Sequence, residues 1–143
     1  MKRDFNIDEV KEGDILRDEI NQVSYTVHSD TNGELCLYDD SQEDAFWLTP
    51  LTELDLSSYI LFSSLEDEMD YYLDKVETAN GWVDTADCLE DEIKDYGYQF
   101  SGGMLVAYAL SKGWHIQSVE IDTLWADKTN FYKYCLCAPS YNK

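Results

Sequence analysis

"SLEDEMDYYLDKVE", Ser64 to Glu77, is where the chain changes its period. Leu65, Met69, Tyr72, Leu73 and Val76 recur at helical spacing and make one apolar stripe. Ser63 or Ser64 is placed to cap the start, with Glu66 or Asp67 as the capping-box partner. Asn80-Gly81 reads as the stop. Upstream, "GDIL", "VSYTVHS", "ELCLYD" and "AFWLT" are short β-rich runs. Asn32-Gly33, between the second and third, suits a hairpin turn. Leu35, Leu37 and Phe46 are the expected core positions there. Four such strands predict an antiparallel β meander or small partial barrel over residues 1–58.

Downstream the helical period returns twice. A second helix is expected from Thr85 to Tyr96, capped by Asp84, striped by Ala86, Leu89, Ile93 and Tyr96, and ended by Gly97. A third is expected from Gly102 to Lys112, capped by Ser101 and ended by Gly113. "WHIQSVEI" and "NFYKYCLCA" then read as strands. The expected fold class is α+β: the β module, then three helices and a C-terminal β-hairpin over residues 59–143. That second order is winged-helix-like. The boundary near Leu56 to Tyr59 is a change of period and not a flexible spacer, so the two halves can pack as one unit.

Charge restricts the function. Thirty acidic residues face ten lysines and arginines, a net charge of −20, while 44% of residues are apolar and 14% aromatic. The apolar share supports a packed core, so the charge does not imply disorder. Its field repels nucleic acid and anionic membranes and attracts basic protein surfaces. The expected wing holds Lys128, with Lys133 nearby, and the third helix holds one lysine. Direct nucleic-acid binding needs several more cations. No apolar run reaches the ~18 residues of a membrane span. "MKRDFNIDEV" has no apolar signal core, so a cytoplasmic location is expected, with Cys36, Cys88, Cys135 and Cys137 as reduced thiols.

The acids are also arranged. On the first helix Asp67, Asp70, Asp74 and Glu77 share the side opposite the apolar stripe, with Glu66 beside them. On the second, Asp87, Asp91 and Asp95 share the outer side, with Glu90 and Glu92 at its flanks. Like charges three or four residues apart repel, and the five closest pairs sum to roughly 1–2 kcal/mol at low salt. Solubility alone is served better by mixed signs. Such neighbours have Cβ atoms ~5–6 Å apart, close to the roughly 6–7 Å between successive phosphates of a duplex.

The expected partner-binding residues are therefore Glu66, Asp67, Asp70, Asp74, Glu77, Asp87, Glu90, Asp91 and Asp95. The expected role is a non-catalytic inhibitor that mimics nucleic acid and occupies the basic groove of a nucleic-acid-binding protein such as a nuclease. A phage or mobile-element anti-defence protein and a nuclease immunity protein both fit. The alternative is an acidic adaptor or structural module.

Other chemistry finds little footing. His28 and His115 lack a motif partner, and no GxGxxG, Walker, HExxH or GxSxG pattern occurs. Gly102-Gly103 opens a helix without the lysine of a phosphate loop. Cys135-x-Cys137 with His115 and Cys88 departs from zinc spacing and reads as buried thiols. "SDTNGE" lacks the ligand series of a calcium loop. No cofactor, metal or catalytic residue is expected.

Overall fold

A computed structural model describes residues 1–39, 47–85, 87–121 and 131–141. The fold is α+β, and its internal contacts divide it into two units. Residues 1–68 and 94–100 form the first, and residues 69–93 and 101–143 the second.

The first unit is built on five antiparallel strands: β1 (Ile15–Asp18), β2 (Val23–Ser29), β3 (Leu35–Asp39), β4 (Trp47–Pro50) and β5 (Tyr59–Phe62). Their order in the sheet is β4-β3-β2-β1-β5. The first four form the expected meander. Register is set at the β2–β3 turn, where Gly33 has φ 81° and donates its N–H to Asp30 O at 3.0 Å. The Asp30 carboxylate accepts from the Asn32 and Glu34 amides, both at 2.9 Å. Leu16, Val27, Leu37, Leu51 and Leu61 are buried together, with half-buried Leu35 against them. Phe46, the other expected core position, lies outside the described residues.

Strand β5 corrects the sequence reading, which placed only a boundary there. Tyr59, Ile60, Leu61 and Phe62 are all buried, so the run has no polar alternation to mark it as a strand. It pairs antiparallel with β1, Leu16 opposite Leu61.

Strand β1 is also buried throughout, and it carries Arg17 and Asp18. Arg17 is 2% exposed. Its Nη1 donates to Ser24 Oγ at 3.0 Å and to the Tyr96 carbonyl at 2.9 Å. The guanidinium stands 4.1 Å from the centroid of the Tyr98 ring. Glu68, fully buried, accepts the Gln99 amide proton on Oε1 at 2.9 Å, and among the described residues its Oε2 has no hydrogen-bond partner. Burial pushes the Glu68 carboxyl up from its ordinary range; the Ser24 hydroxyl, the Gln99 and Phe100 amides and the Arg17 charge offset this only in part.

These bonds bring the segment Tyr96–Phe100 against the β1–β2 hairpin. Gly97 O accepts from the Ser24 amide at 3.1 Å, and Gln99 Nε2 donates to Ser24 O at 2.8 Å. Gly97 has φ 62°, and a Cβ there would lie 2.2 Å from Val23 Cγ2 and 3.1 Å from Val23 Cα. Gly97→Ala is expected to cost about 2–4 kcal/mol, from left-handed strain plus overpacking. Gly33→Ala has a similar φ but open space around its Cβ, so it should cost only the strain. Urea titration of both variants checks this; equal losses would sink the packing argument.

The second unit follows the order α1, β6, α2, α3, β7, β8. Here α1 is Leu65–Thr78, whose first turn belongs to the first unit, and β6 is Trp82–Asp84. Helix α2 is Asp87–Asp95, α3 is Gly102–Ser111, β7 is His115–Ile121 and β8 is Phe131–Cys137. Three helices and a C-terminal hairpin thus appear as expected. The unexpected element is β6, which pairs with β8 to make a sheet of order β6-β8-β7. It corrects the proposed start of the second helix. Asp84 is the last residue of β6 and not an N-cap, and Thr85 Oγ1 donates to the Tyr134 carbonyl at 2.8 Å. The caps of α3 are as read: Ser101 Oγ accepts from the Met104 amide.

Candidate functional site

Helix α1 begins as its sequence directs. Ser64 Oγ accepts from the Asp67 amide at 3.1 Å, and Asp67 Oδ2 accepts from the Ser63 amide at 3.3 Å. Asp67 is half-buried and also lies 2.9 Å from the Met1 amino group. Met69, Tyr72, Leu73 and Val76 face inward, as the stripe predicts. Glu66, Asp70, Asp74 and Glu77 are exposed. On α2, Leu89 and Ile93 are buried, while Glu90, Asp91 and Asp95 are exposed and Glu92 is half-buried. The side chain of Asp87 lies outside the described residues, as do Lys128 and the side chain of Lys133.

The acids divide by what they touch. Three have intramolecular work: Asp67 at the cap, Asp70 and Glu90. Asp70 Oδ1 accepts from Tyr108 Oη–H at 2.7 Å. Glu90 Oε1 accepts from the Gly102 amide at 2.8 Å, at the first turn of α3. That bond satisfies an orphan helix N–H and places a carboxylate at the positive end of the dipole. It needs Gly102, where a Cβ would lie 2.3 Å from Glu90 Oε1.

Glu66, Asp74, Glu77, Asp91 and Asp95 form the other group. Among the described residues, no ion pair and no hydrogen bond reaches their carboxylates; the Thr78 hydroxyl donates to the Asp74 carbonyl at 2.9 Å. The ion pairs there join Lys2 to Glu9, Arg3 to Glu19 and the Met1 amino group to Asp67. Lys75, the one cation on α1, stands 4.7 Å from the Tyr71 ring centroid.

Glu90→Ala is expected to cost about 1 kcal/mol through the lost cap. Asp91→Asn should be level or stabilising by a few tenths, since it relieves repulsion from Asp95. Thermal unfolding of the two variants separates the classes; equal effects would contradict the division.

Two residues of structural weight escaped the sequence reading. Glu68 shares the stripe of Leu65, Met69 and Tyr72, and a carboxylate at that phase is itself the signal. Arg17 interrupts the apolar run Ile15-Leu16, but nothing local shows that it is buried.

Cys135 and Cys137 sit on one side of β8, both fully buried, and pack with Val119, Trp82 and Tyr141. Burial pushes the Cys137 thiol up. Cys36 is buried in the other unit. The side chain of Cys88 lies outside the described residues. His28 is exposed, and His115 Nε2 lies 3.0 Å from Gln117 Oε1. Among the described residues no group of His, Cys, Asp and Glu is placed to hold a metal ion, and no helix is long and apolar enough to cross a membrane.

Comparison with protein-family models, with curated proteins and with solved structures finds no match for this chain.

Proposed function

We propose that the protein is a cytoplasmic, non-catalytic inhibitor that mimics nucleic acid and occupies the basic groove of a nucleic-acid-binding protein, such as a nuclease. One observation supports this reading: Asp74, Glu77, Asp91 and Asp95 are exposed at helical spacing, and among the described residues no ion pair or hydrogen bond reaches their carboxylates, although Lys75 and Lys94 lie on the same helices. Lys75 and Lys94 are single cations among these acids, and a fold that needed only solubility would gain from a more even mixture of signs. Fixed on helices, the carboxylates lose little freedom on binding, so a Lys/Arg groove meets charges already in place. Anti-defence against a nuclease and immunity to a nuclease toxin both use this chemistry.

The test is competition. A basic nuclease captured by the protein should be released by excess duplex DNA or guide RNA, and more readily at high salt. A ternary complex with undiminished nucleic-acid affinity would rule the mechanism out. Salt-insensitive association would favour an acidic adaptor instead.

A further inference from the structure

Helix α3, Gly102–Ser111, holds no charged residue. Its inner side buries Leu105 and Ala109. Its outer side is apolar as well: Met104 is 42% exposed and Leu110 is 46% exposed. A helix that is apolar all round is normally covered on all sides. Here the outer side opens into a groove of about 550 Å³ in the second unit. Buried Leu89, half-buried Val106, exposed Ala107 and Leu110, and Ile116 on β7 supply its apolar walls, and Glu90 stands among them.

Charge selects the occupant. Glu90 lines the groove and exposed Asp91 follows it on the same helix, within a chain of net charge −20. An acidic peptide, nucleic acid or anionic membrane would be repelled. A second copy would bring another −20 to the same surface. We propose that this groove takes a cationic amphipathic helix of a protein partner, its apolar side against α3 and its Lys and Arg toward α2. Anchors at i, i+3, i+4 and i+7 are how such helices seat in grooves. The division of labour is physical: the acids speed encounter, and the apolar contact slows release. The inference stands on the groove and does not require nucleic-acid mimicry.

The probe is a synthetic Leu/Lys peptide with Leu at i, i+3, i+4 and i+7, titrated into the isotope-labelled full chain. Saturable binding on the order of micromolar is expected, with amide shifts centred on Gly103, Val106, Ala107 and Leu110. Leu110→Lys should weaken it about tenfold or more by removing an anchor and adding a like charge. Gly103→Leu should do the same by filling the groove, since a Cβ at Gly103 meets nothing within 4 Å and the fold tolerates it. A peptide with Ser for Leu should bind at least about tenfold more weakly, and one with Glu for Lys should not bind.

Equal binding of the Ser peptide would overturn the proposal, because charge alone would then suffice. Equal binding of the Glu peptide would overturn the choice of a cationic occupant. Self-association that Leu110→Lys abolishes would give the groove to a second copy. Neutralising Asp74 and Glu77 should leave the groove shifts in place, and loss of nucleic-acid competition in that variant bears on the mimicry reading alone.

Discussion

Arg17→Met is expected to lower stability by about 3–5 kcal/mol at neutral pH, the cost of removing one partner from a buried charged cluster. The substitution keeps apolar volume on β1 but deletes the donor to Ser24 Oγ and to the Tyr96 carbonyl, and the cation over Tyr98. It also leaves Glu68 buried without the charge that favours its ionised form. The loss should therefore depend on pH. Glu68 already has its folded pKa raised by burial, and the Arg17 charge works against that rise. Without Arg17 the folded pKa rises further. A raised folded pKa gives stability that is present below the unfolded pKa and lost as pH rises through the folded value. The variant's deficit should thus be largest at pH 7 and shrink toward the ordinary glutamate range.

Glu68→Gln should be level with or more stable than the parent at pH 7, with a difference that fades on acidification. In the Glu68→Gln background, Arg17→Met should cost less, which a double-mutant cycle measures. Urea unfolding at pH 7 and pH 5 checks all of this. A loss below about 1 kcal/mol for Arg17→Met, or one independent of pH, would mean the cluster is wet enough to be dispensable.

The same cluster marks where the sequence is opaque. Strands β2, β7 and β8 were legible from β-rich runs, and α1 and α3 from stripes and caps that act within a few residues. Strand β5 was not, because "YILF" is buried on both sides and offers no period. Strand β6 was not, because Trp82–Asp84 is too short to alternate and its last residue resembles an N-cap. Arg17 and Glu68 meet segments far apart in the chain, and no local rule reports such a meeting. In the candidate site, exposure of Glu66, Asp70, Asp74, Glu77, Glu90, Asp91 and Asp95 followed from helical phase, whereas Asp67 is half-buried because it closes the α1 cap and meets the Met1 amino group. The work of Asp70 and Glu90 did not follow from phase, because Tyr108 and Gly102 come from another helix.

That division sharpens the test of the acid faces. Neutralising Asp74, Glu77, Asp91 and Asp95 to Asn or Gln touches neither cap nor core. Stability should stay level or rise by a few tenths of a kcal/mol for each like-charge pair removed, since Asp74/Glu77 and Asp91/Asp95 lie at repulsive spacings. The rise should be larger at low salt, because exposed charges are screened beyond ~10 Å at 0.1 M. Association with a basic nuclease should slow roughly 10–100-fold at low salt, within the range that steering supplies. Dissociation should change less, because long-range charge acts before contact. Rapid-mixing kinetics against salt, beside urea melts, reads both quantities on one protein. Asp67, Asp70 and Glu90 serve as the contrast: changing them lowers stability as well, so binding losses there are ambiguous. Charges that cost the fold and speed the encounter are held for a partner. If the fourfold variant associates as fast as the parent, the two acid faces are solvation only, and the inhibitor reading fails with them.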